Sequence, residues 1–102
     1  MAKKNRRLAP IHPGEIIRED LMKPLGLSLS SLARELKVPV TRMSEIVNGK
    51  RAVKADTALR LSRYFGSTPE FWINLQSAYD LSVTIDLAAD RIEREVRPRK
   101  AA

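Results

Sequence analysis

Val40, Thr41, Arg42, Ser44 and Glu45 set an apolar side chain, two hydroxyls, a guanidinium and a carboxylate close together, and Lys50 and Arg51 follow shortly after. The chemistry open to such a set is recognition, not bond making. A guanidinium donates in bidentate fashion to guanine, a carboxylate accepts from the cytosine amino group, hydroxyls serve either way, and valine touches a thymine methyl. The two cations that follow suit phosphate. Covalent chemistry lacks its parts: the chain has no cysteine and a single histidine. It also has no Gly-rich phosphate loop and no Ser-His-Asp set that a small helical bundle would converge, so no enzyme activity is expected. The acid pairs Glu19-Asp20 and Glu93-Glu95 lie in charge-mixed segments with no pocket to drive their pKa values apart. His12 with Glu15 gives two ligands, which do not make a metal site, so neither metal nor cofactor is expected.

The elements that must position these residues follow from spacing. Leu29, Leu32, Ala33 and Leu36 recur at i, i+3, i+4 and i+7, one face of a short helix that Ser28 caps. Lys37-Val38-Pro39 interrupts it, since proline lacks an N–H and disfavours the α region for the residue before it. A second helix begins at Pro39 or Val40, with Met43, Ile46 and Val47 inward. Val40, Thr41, Ser44, Glu45 and Asn48 face the other way, and Arg42 lies on the flank. Asn48-Gly49 supplies the stop. Two short helices across a tight turn form a helix-turn-helix, whose second helix enters the DNA major groove with its N-terminal end at the base edges. Val40, Thr41, Arg42, Ser44 and Glu45 are therefore the expected base readers. Lys50 and Arg51 are expected on phosphate, helped by Ser28, Ser30, Arg34 and Lys37.

Three segments in order, IHPGEIIRED at 11–20, SEIVNGKRAVKADTALRLSRYFG at 44–66 and TPEFWINLQSAYDL at 68–81, resemble the Xre-type phage-repressor helix-turn-helix family, and more closely its HigA-type antitoxins. The resemblance spans roughly residues 11–81, most of the chain, and maps the family's recognition positions onto 40–45. It implies neutralisation of a cognate HigB-type toxin, a small RelE-like ribonuclease acting on mRNA, together with repression of the chain's own operon. Two departures stand out. Lys54 occupies a position where many relatives cap the next helix with Ser or Thr, losing a cap bond but gaining a cation for phosphate. Val40 occupies one where repressors often carry a polar residue.

The remaining pattern completes an all-α, five-helix domain of phage-repressor type over residues 11–81, with a basic arm at 1–10 and a short helical extension and basic tail at 82–102. The first helix starts at Pro13 and stops before Pro24. The fourth runs from Ala55 to Phe65, with Ala58, Leu59, Leu61 and Ser62 near its packed side. The fifth opens on Thr68-Pro69-Glu70, an N-cap, a proline at N1 and an acid in the first turn. Its apolar residues spread over more than one face. A homodimer interface is therefore expected at Trp72, Leu75 and Tyr79, with Ile92 and Val96 on a separate short helix that Asp86 caps; for Trp72 a place in the core is an equal reading and base stacking a weaker one. The charge of +7 is uneven: residues 34–54 hold six bases against Glu35 and Glu45, while 55–90 hold two bases against five acids. The positive field thus sits on the helix-turn-helix and the two ends. Without cysteines, a signal-peptide core or an apolar run of ~20 residues, a cytoplasmic protein, associated with the nucleoid when on its operator, is expected. Its expected partners are double-stranded operator DNA, a HigB-type toxin and a second copy of itself, with no membrane. A stand-alone repressor without a toxin is the alternative, and an interaction module with vestigial DNA binding a weaker one.

Overall fold

The structure, a computed structural model, describes residues 10–100; the basic arm, apart from Pro10, lies outside them. Five helices and no strand are present among the described residues. Helix α1 opens as Pro13–Ile16, widens into a π-helical stretch at Ile17–Met22 and closes as Lys23–Leu25. It therefore passes through Pro24 instead of ending before it. Proline's missing N–H and its clash with the carbonyl four residues back break an α-helix, but the wider π turn carries Lys23 N–H back to the Arg18 carbonyl and re-spaces the carbonyls ahead of the ring. Gly26, left-handed at φ 64°, ends the helix.

Helices α2 (Leu29–Leu36) and α3 (Val40–Val47) follow. Ser28 caps α2 by accepting from the Ser31 N–H at 3.0 Å. The stop is a left-handed Lys37 at φ 59°, with the Val38 N–H closing back onto the Ala33 carbonyl at 3.0 Å. Helix α4 (Ala55–Phe65) ends at left-handed Gly66. Its buried face is Thr57, Ala58, Leu61 and Ser62; Leu59, expected on that side, points outward and is exposed.

Helix α5 is one unbroken element, Pro69–Glu95, capped by Thr68. The separate helix expected from Asp86 is its continuation. No glycine or proline interrupts residues 70–97, so nothing local ends the helix; the apolar pattern fades because the distal half leaves the core. The core gathers Ile17, Leu32, Met43, Ile46, Leu61 and Trp72, one or more from each helix. Trp72 is 1% exposed and donates its indole N–H to Ser67 Oγ at 2.9 Å. It cannot serve a second chain, because its own chain already covers it. Leu75 and Tyr79 are half-buried in the same way, Leu75 against the core and Tyr79 edge-on to the His12 ring at 4.9 Å between centroids. Ile92 and Val96 remain exposed, Val96 just beyond the helix end.

Candidate nucleic-acid interface

The HPGE segment fixes α3 from below. His12 Nδ1 accepts from the Gly14 N–H at 2.9 Å, so the imidazole itself is the N-cap of α1. Gly14 lies against the backbone of Ile46 and Val47, so closely that a Cβ would collide with the Ile46 carbonyl. Only glycine allows the start of α1 to touch the last turn of α3. Arg18 Nη1 donates to the Val47 carbonyl at 2.7 Å, satisfying one of the acceptors that a helix end leaves unpaired. His12, 8% exposed, also has a hydrogen bond to the Arg51 backbone, and burial holds its pKa below the ordinary value. From α5, Gln76 Oε1 accepts from the Val53 N–H at 2.8 Å and anchors the segment after α3.

On this frame the N-terminal end of α3 stands outward. Val40 is 46% exposed, Thr41 is exposed and Ser44 is half-buried. Lys50 and Lys54 are exposed beside them; Lys54 is the N-cap residue of α4 and forms no side-chain cap bond, in keeping with the departure seen in the sequence. Ser28, Ser30, Arg34 and Lys37 lie at the two ends of α2, all exposed, with Ser28 held to Ser31 and Arg34 Nη2 also on Ser31 Oγ at 3.4 Å.

Besides Ser28 and Arg34, three more of the expected contact residues are engaged within the chain. Arg42 Nη1 donates to Asp56 Oδ1 at 3.0 Å and to Thr57 Oγ1 at 3.5 Å, so one edge of its guanidinium is held on α4 and the whole group does not stand free. Glu45 accepts from Arg51 Nη1 at 3.0 Å, which pairs an expected base reader with an expected phosphate contact. These pairs join residues with no helical spacing between them, so periodicity does not reveal them. Asp56 and Gln76 were missed for the same reason. Hydrogen bonds from Arg60 and then Arg42 hold the Asp56 carboxyl below its usual range. No cluster among the described residues has the makings of a metal site.

The family model described as Helix-turn-helix matches residues 18–72. Virulence-associated protein I of Dichelobacter nodosus is 55% identical over 73 residues, 72% of this chain and 68% of that protein. An addiction module antidote protein of a HigA family from Coxiella burnetii superposes with a TM-score of 0.84 at 48% identity, covering 90% of this chain and all of that one. The Pseudomonas aeruginosa antitoxin HigA, solved with the higBA promoter, gives a TM-score of 0.84 at 42% identity, covering 89% of this chain and 99% of that one.

Proposed function

The chain belongs to the Xre-type helix-turn-helix family, and from that premise we propose that it is an antitoxin: a DNA-binding repressor of its own operon that also neutralises a HigB-type toxin. Its work is binding and not catalysis. The observation that carries the DNA half is the outward N-terminal end of α3, with Val40, Thr41 and Ser44 exposed or half-exposed and Lys50 and Lys54 open beside them. Short side chains there let the helix sit deep in the major groove, and the flanking cations meet the phosphates. Likeness to an antitoxin solved on promoter DNA supports the same reading, and likeness to an antidote protein supports the toxin half. Two copies act together on two half-sites in the cytoplasm.

The test is co-expression with the product of the gene next to this one. Growth is expected to be restored by the wild-type chain and equally by a Thr41→Ala, Arg42→Ala variant that no longer represses the shared promoter. A neighbour that is harmless alone, or that stays lethal beside abundant folded protein, would leave a stand-alone repressor as the function.

A further inference from the structure

Asp56 Oδ1 accepts two arginines. Arg42 Nη1 reaches it from α3 at 3.0 Å and Arg60 Nε from within α4 at 2.7 Å. Arg60 Nη1 donates onward to the Leu36 carbonyl at 3.0 Å and to that of Lys37 at 3.4 Å. One carboxylate oxygen thus links the reading helix to α4 and, through Arg60, to the end of α2. The Asp56 side chain is 62% exposed, and ion pairs this open to water add little to stability. What the pair does fix is direction. A guanidinium is a rigid plane of five donors, and with Nη1 held on the α4 side and the side chain 28% exposed, the plane cannot swing freely. Asp56 is also the acid in a cleft of about 170 Å³ lined by Arg42, Arg51 and Lys54. There it offsets the positive charge that drives sequence-independent binding.

We propose that Asp56 is the positioning residue that sets base specificity, orienting Arg42 for a base edge and withholding it from phosphate. This rests on the DNA-binding reading of α3. An unheld arginine takes whichever phosphate is nearest, raising affinity for every sequence, whereas a held one contributes only where an acceptor lies along its fixed plane.

The experiment measures affinity for a duplex enriched from a random pool by the wild-type protein and for an unselected duplex of equal length, across a salt series. Asp56→Asn is expected to lower the ratio of the two affinities about tenfold. It should also steepen the salt dependence on unselected DNA by about one unit of log K against log salt. In an Arg42→Ala background the same change should leave the ratio within about twofold, because the residue acts through Arg42. Asp56→Ser, which keeps a helix-starting side chain, should reproduce the result at unchanged melting temperature. A ratio unmoved by Asp56→Asn and Asp56→Ser, or lowered equally without Arg42, overturns the proposal. A wild-type ratio near one overturns the repressor reading itself, so the two failures are distinct.

Discussion

His12 is where a single proton reaches the reading helix. Its Nδ1 must be unprotonated to accept from the Gly14 N–H, and the ring lies beneath the Gly49–Arg51 segment and edge-on to Tyr79. Desolvation lowers its pKa, partly opposed by the hydrogen bond to the Arg51 backbone and by the charge of Asp80. The folded state therefore binds the proton more weakly than the unfolded chain, whose histidine titrates near ~6.5. Stability is complete above that pH and falls as the pH drops through it, down to the lower folded pKa. Asp56 and Glu19, whose carboxyl pKa values are lowered by their arginine and lysine partners, titrate only at more acid pH and do not account for a change in this window. Melting temperature measured between pH 8 and 5 should fall below neutrality in the wild type, while His12→Asn, a cap that does not titrate there, should stay flat across the same window. Parallel curves for the two proteins would assign the loss to other groups. The start of α1 at Pro13, directly after His12, was legible in the sequence. The burial of His12 was not, because that depends on Tyr79 arriving from α5.

The turn between α2 and α3 shows what spacing reveals of an element and what it conceals. Proline at 39 correctly marks the break, yet the residue that makes the stop is Lys37 in the left-handed region, a conformation that costs a non-glycine residue about 1 kcal/mol. The chain holds it there with the Val38 N–H on the Ala33 carbonyl and with Arg60 on the Leu36 and Lys37 carbonyls. Lys37→Gly removes the strain and should raise stability by about 0.5–1 kcal/mol in urea unfolding. If Lys37 also meets phosphate, the same variant should flatten the salt dependence of DNA binding by about one unit. A more stable protein with an unchanged slope would confine Lys37 to the turn. Helix α5 gives the opposite lesson. Its start was plain in Thr68-Pro69-Glu70. Its length was hidden, because amphipathic periodicity reports packing against a core and a helix that leaves the core no longer needs it. The absence of glycine and proline from 70 to 97 was the better signal.

At the scale of the whole molecule, the stretch from the middle of α5 to the residue after its end carries several exposed apolar side chains, alongside others such as Leu25 on α1 and Leu59 on α4. Leu87 is 80% exposed, Val96 63%, Leu81 62% and Ile92 44%. Trp72, inside the core, is removed from any dimer contact, so the expected interface shifts along the helix. A domain that presents one reading helix contacts too few base pairs to find a single site, and two half-sites lie about one DNA turn, ~34 Å, apart. The molecule measures 52 × 32 × 22 Å, so two copies side by side along α5 match that separation in width. Burying the distal apolar residues between two copies gives the pairing a driving force of ordinary hydrophobic kind. Sedimentation should show a dimer at tens of micromolar for the wild type and a monomer for the Ile92→Asp, Val96→Asp double variant, whose sites are four residues apart, with unchanged helical content by circular dichroism. The variant should still bind a single half-site but lose the added affinity for two. Trp72→Phe should leave the dimer intact while lowering stability. A wild-type monomer, free and on DNA, would mean that each copy finds its half-site alone, and the exposed half of α5 would have to face a partner other than itself.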